Sequence, residues 1–417
     1  MRALRALLVP ALTGLLACTK PAVVPPPPPP KPAPEPKPAV VVQEPPPKFS
    51  FTPEGGGQNF AEEAKLLYRI VACAGDAELT PEIATAIEEH CKELPPKIAE
   101  YKKSWLDVAM PFLATLVPAN APKKVVYPFA GGDNTTMFAT YPNAEEYTTI
   151  SLELSGEVRR VREVQAKTLP TTLRKLRARL DELYGPSKFS LSETLQKMMT
   201  GEIPQELSFL MVGLSLHNLE PVSLRYFKLE KDGRIHYFTE DELAQAKGSA
   251  RRRSPTWQDG DFSEAYSNVE IGFKPRDANG PVRFHRHIAW NLDNPHLKLD
   301  PGLIEHLSAK GDVVAIVKAA SYLLWKLDFS RFRDYLLTNS TMIVSDSTAP
   351  VPRDAAPRGY EQEVWGSFGG APIPAVNASE KEMKKFWSSQ PTRPLDFRFG
   401  YLDRHDKPHL MVSRRKP

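Results

Sequence analysis

Residues 125–156, VVYPFAGGDNTTMFATYPNAEEYTTISLELSG, constrain this chain more than any other stretch. They read as a buried strand (Val125–Phe129), a glycine-rich corner (Gly131, Gly132, Asp133), a short helix and a second strand (Tyr147–Leu154). β-branched and aromatic residues suit a pleated, packed surface. Glycine lets the backbone turn sharply and bare its N–H groups. The unit points to an α/β arrangement.

The chain around it extends the pattern. A helix is expected over Asn59–Cys73, with Phe60, Ala64, Leu67, Ile70 and Val71 on one side. Thr80-Pro81 opens the next, and a third covers Pro96–Val117 with a break near Pro111. Leu169, Leu173, Leu176, Leu180 and Leu183 step along one face of the helix at Thr171–Tyr184, which Gly185-Pro186 ends. Its basic face, Arg174, Lys175, Arg177 and Arg179, reads as solvated. Helical segments are expected at Ser192–Met199 and Pro204–Leu216. Val222–Glu230 and Arg234–Phe238 make a hairpin about Asp232-Gly233, and Thr239 and Glu242 form a capping box. Val269–Phe273 and Val282–Ile288 read as paired strands. Helices at Val313–Trp325 and Phe329–Leu337 precede strands at Met342–Ser345 and Glu363–Phe368. Ser379 and Glu382 then cap a helix, and Leu395–Tyr401 pairs with His409–Val412. The expected fold is α/β (α+β): a mixed, partly antiparallel sheet covered by helices.

The first residues follow different rules. Arg2 and Arg5 precede an apolar stretch, Ala6–Leu16, too short to cross a bilayer as a helix. It closes on Leu15-Leu16-Ala17-Cys18, which resembles a bacterial lipoprotein signal with Cys18 as the lipidated residue. Thr19 stands where an aspartate would retain the protein at the inner membrane, so the resemblance implies the outer membrane. Residues 21–48 hold 14 prolines and read as a disordered, extended spacer of roughly 80–90 Å. The expected division is a signal peptide (1–17), a lipidated cysteine with its tether (18–48), a helical N-terminal segment (49–118) and a main α/β domain (119–417).

Cys73 and Cys91 are the cysteines left beside Cys18. An oxidising compartment favours a disulfide between them. A straight helical hairpin argues against it, since Cys91 would lie about 15 Å from the turn. Either the helices cross, or the second starts later, or both stay as buried thiols.

Several further stretches resemble a family of uncharacterised bacterial envelope lipoproteins. They are Tyr127-Pro128-Phe129 with Gly131 and Asp133, Tyr141-Pro142-Asn143-Ala144, Leu152-Glu153, Lys318-Ala319-Ala320-Ser321-Tyr322-Leu323, Asp346-Ser347 before Pro350, and Phe399-Gly400-Tyr401. Gly132 and Ser345 depart from the commoner form, which has proline and an acid there. The resemblance implies grouping and no activity.

Chemistry is suggested at three places. The corner with Glu153 invites a nucleotide reading, but it lacks the G-x-G-x-x-G pattern, and Asp133 or Asn134 serves as a helix cap. His285, His287 and His296 invite zinc, although surface histidines explain them and no metal is expected. Lys318, Ser321 and Tyr322 would share one face of an apolar helix, where a buried lysine needs an acid, Asp133 or Asp346. The candidate pocket is therefore Asp133, Lys318, Ser321, Tyr322 and Asp346. A net charge of +4 implies no nucleic-acid partner. A lipid-anchored envelope protein binding a small molecule or protein, with no cofactor, is the expectation; a hydrolase using the same pocket is the alternative.

Overall fold

The computed structural model describes residues 56–184, 203–246, 264–277 and 280–416. The expected signal peptide, Cys18, the proline tether and the helix at Ser192–Met199 lie outside the described residues.

Strand β1 (Lys124–Pro128) sits mid-sheet, hydrogen-bonded in parallel to β2 (Glu146–Ser151) on one side and β7 (Val313–Val317) on the other. Two more parallel strands extend this centre, β6 (Arg283–Ala289) beyond β2 and β8 (Ser340–Ser345) beyond β7. Antiparallel strands complete both sides. They are β3 (Leu219–Leu229), β4 (Ile235–Tyr237) and β5 (Asn268–Pro275) next to β6, and β9 (Tyr360–Gly366) and β10 (His409–Arg415) next to β8. The order is β4-β3-β5-β6-β2-β1-β7-β8-β10-β9. This is the mixed, helix-covered α/β sheet that the sequence predicts.

Alternate strand residues feed opposite cores, because the side-chain period of a strand is two. Val125 and Tyr127 pack with α1 (Ala61–Ala72), α2 (Pro81–Tyr101), α3 (Asp107–Leu116), α4 (Asn134–Thr140), α5 (Leu169–Tyr184) and α6 (Gln205–Leu216). Val126 faces the second core with α8 (Asn294–Leu299), α9 (Gly302–Ser308) and α10 (Ser330–Asn339), α7 (Glu240–Gln245) lying with the first. The step from β1 to β2 crosses over α4 on one face. The step from β7 to β8 runs the other way over α10 on the opposite face, as right-handed crossovers require.

Four expectations are corrected. Val313–Trp325 is not one helix: it is β7, a tight turn at 318–322 and a single 3₁₀ turn, Leu323–Trp325. An apolar run of this length fits a buried strand as well as a helix. Leu395–Tyr401 is not a strand, and β10 pairs with β8 and β9 instead. Ser379 does not cap: the last helix, α12 (Asn377–Ser389), following the short α11 (Pro352–Ala355), begins two residues earlier, and Ser379 accepts from Arg353. The third expected helix divides elsewhere. α2 runs through Pro95 and Pro96, and a π-helical turn at Lys102–Leu106 separates it from α3.

Cys73 and Cys91 are bonded, with Cα atoms 5.4 Å apart. Cys73 takes a left-handed conformation (φ 53°) at the end of α1. His90 then meets the carbonyl of Val71 at 3.0 Å, so the middle of α2, not its start, abuts the end of α1. The helices cross, which removes the reach problem of a straight hairpin.

Candidate functional site

In open α/β sheets the strand ends gape where successive crossovers diverge, and ligands favour that crevice. Here it falls between the carboxyl ends of β1 and β7. The sequence places Asp133 just past β1 and Lys318 immediately after β7. The fold joins them: Lys318 Nζ lies 2.5 Å from Asp133 Oδ2 and 2.8 Å from Thr136 Oγ1. The same carboxylate caps α4 through the Thr136 amide (3.1 Å) and accepts the hydroxyls of Thr136 (2.8 Å) and Tyr127 (3.2 Å). Burial raises the Asp133 pKa, but the Lys318 ammonium and the Thr136 donors reverse that and hold it below the usual carboxylate value. The lysine side chain is 20% exposed against 7% for its acid. It is the charged group of the pair that solvent reaches.

The backbone around the pair is strained. Phe129 (φ 60°) after β1 and Ala319 (49°), Ser321 (49°) and Tyr322 (55°) after β7 are left-handed without being glycine. Each such residue costs roughly 1–2 kcal/mol, and strain of this kind gathers at functional sites. The π-helical turn brings Trp105 to the crevice, its ring 6.0 Å from Lys318 Nζ and stacked on Tyr101.

The other pocket candidates are held near the pair in different roles. Asp346 is fully buried and accepts from the amides of Ala319 (2.9 Å), Tyr401 (2.8 Å) and Thr348 (2.8 Å). It therefore fixes loops, and Asp133 is the lysine's ion-pair partner. Ser321 faces Tyr401 (3.4 Å between hydroxyls), while Tyr322 is buried and turned to Ser347 (3.0 Å). The expected shared helical face does not exist, because residues 318–322 form a turn.

Of the three histidines expected at the surface, His285 and His287 are buried and His296 is exposed. His285 and His287 flank the Thr149 hydroxyl at 2.8 and 3.1 Å. Burial, with His287 beside it, pushes His285 down to about 3. His296 lies apart on α8, bonded to Asp293. Among the described residues no three potential ligands gather as a metal site. The glycine corner is filled from within: the Gly132 backbone amide donates to Glu206 on α6. Glu153, the acid of the nucleotide reading, neighbours Glu206, and burial together with that charge pushes Glu206 well above the carboxylate range. Sequence reasoning missed Glu206 altogether. Its one signal is a lone acid opening a strongly apolar helix.

It also missed a serine–histidine contact. Ser347 Oγ lies 2.8 Å from His409 Nε2, and His409 Nδ1 meets the Lys407 carbonyl at 3.3 Å. A carbonyl only accepts, so Nδ1 carries the proton and Nε2 takes that of the serine. No family model matches this chain, and no curated protein matches it.

Proposed function

We propose that this chain is an envelope lipoprotein, anchored in the outer membrane through Cys18, whose folded body binds a small ligand at the β1–β7 crevice. The observation that carries the binding reading is the Lys318–Asp133 pair, a partly exposed ammonium on an otherwise buried polar cluster at the strand ends. Strained, left-handed turns on both sides and an aromatic ring over the lysine support it. The Cys73–Cys91 bond supports an oxidising compartment. The Leu15–Cys18 signal and the proline tether support the anchor.

Gentle native mass spectrometry of protein purified from its own cells tests the site. Wild type should retain a small molecule that the neutral double variant Asp133→Asn/Lys318→Met loses; equal spectra refute the reading. Palmitate labelling that persists in Cys18→Ser refutes the anchor.

The hydrolase alternative rests on Ser347 and His409, which have the tautomer of a nucleophile and its base. Both side chains are sealed from solvent, so an acyl substrate would need the 318–322 turn to open. A fluorophosphonate probe that labels Ser347 would favour this reading over simple binding.

A further inference from the structure

The β1–β7 crevice is built on two carboxylates, and each has a cation nearer to solvent than itself. Asp133 has Lys318, the more exposed side chain of that pair. Asp346 is fully buried, with its oxygens taken by the amides of Ala319, Thr348 and Tyr401 and by the Thr348 hydroxyl. The cation that feels its charge is the half-buried Arg398. Neither cation is fully used. An ammonium has three N–H donors, and Asp133 and Thr136 take two from Lys318. Arg398 gives its Nε proton to the Gly400 carbonyl (2.7 Å), but among the described residues nothing meets its two terminal nitrogens. Burial lowers its pKa by more than Asp346 and Tyr401 raise it. A guanidinium drawn partly out of water without a paired acid carries a cost that an incoming anion offsets.

The two cations share one mouth. Trp105, whose ring lies 6.0 Å from Lys318 Nζ, donates its indole N–H to the Arg398 carbonyl (2.6 Å). Asp346 holds the amide of Ala319, next to Lys318, and that of Tyr401, close after Arg398. Lys102, half-buried on the same π-helical turn as Trp105, has no ion-pair partner among the described residues, and its charge reaches His217 as that of Asp133 does. We propose that this mouth takes the oxyanion group of a small ligand, a carboxylate or a phosphate, between Lys318 and Arg398 and against Trp105. The inference rests on the crevice reading above and adds the charge of the ligand. The forked guanidinium end suits two oxygens of one group, and the ammonium adds a point donor. Lys318, Trp105, Ser321 and Arg398 are all partly exposed, so the group can enter from solvent.

The test melts the full chain at neutral pH in sodium phosphate, sodium acetate and, at equal ionic strength, sodium chloride. One oxyanion or both should raise the melting temperature above the chloride value, and the rise should saturate. A rise confined to phosphate supports a phosphoryl ligand, and one confined to acetate supports a carboxylate. Arg398→Gln should lose the saturating rise and Arg398→Lys should keep part of it, whereas salts acting by exclusion from the surface raise wild type and variants alike. No saturating rise with either oxyanion, or one that Arg398→Gln leaves intact, would overturn the proposal. Native mass spectrometry separates it from the crevice reading. A molecule lost from Asp133→Asn/Lys318→Met but kept by Arg398→Gln would leave the crevice standing and sink the oxyanion. If Arg398→Gln fails to fold, the wild-type comparison of the three salts decides.

Discussion

A β-carbon at Gly400 would stand 2.1 Å from Oδ2 of Asp346. That closeness lets one carboxylate hold the amides of Tyr401 and Ala319 together, tying the end of β7 to the segment before β10. Gly400→Ala must push the carboxylate away. It should lower the urea midpoint, with about 1–3 kcal/mol lost for each buried donor left unmet. Asp346→Asn should do the same, and an unchanged midpoint in both would show that the tie carries no stability.

Lys318→Met leaves the buried Asp133 carboxylate without its cation and should cost about 3–5 kcal/mol. Adding Asp133→Asn should restore most of that loss. Asp133 has a depressed folded pKa, so its contribution is present above the ordinary carboxylate value and is lost as pH falls through the folded one. The gap between wild type and Lys318→Met should therefore close in acid. Urea titrations at neutral and acid pH check both statements.

The bond between Cys73 and Cys91 closes a loop with a sequence separation of 18, worth roughly 3 kcal/mol in the chain-entropy account. Cys73→Ser should lower the unfolding midpoint accordingly. Alkylation of the unreduced protein should modify neither residue.

His90, His285, His306 and His409 are buried and His217 is half-buried, and burial depresses all five, His90 and His217 to about 4. Their contributions are present above the unfolded value near 6.5 and are lost as pH falls towards the folded ones. Glu206, raised in the fold, acts in the opposite sense. The net loss should be roughly 5 kcal/mol per pH unit below about pH 6. Urea midpoints that stay flat from pH 7 to pH 5 would contradict it.

The sequence was most legible where backbone chemistry is written in residue type. The β1 corner, the Asp232-Gly233 hairpin and the Thr239–Glu242 capping box all form as read. It misled at 318–322, because Ala319, Ser321 and Tyr322 adopt the left-handed conformation without the glycine that announces it. Asp133 and Lys318 could be linked in advance, since a lysine in an apolar run needs an acid. Glu206 and His409 could not, as only the packing of α6 on the glycine corner and the pairing of β10 with β8 bring them to their partners. The cysteine pair stayed open for a similar reason: a crossing angle leaves no mark on composition.

An open sheet of ten strands has two rims where another chain could add itself. Here both are blunted. β4 is only three residues long, and the neighbouring Phe238 carbonyl is already taken by the amide of Gln58. β9 carries Glu361 and Glu363, which pair with Lys416 and Arg414. A second copy sliding alongside would meet charged side chains rather than a bare apolar ladder. Crowding such molecules together, as any surface array does, therefore favours neighbours that stay separate over a polymer grown strand by strand.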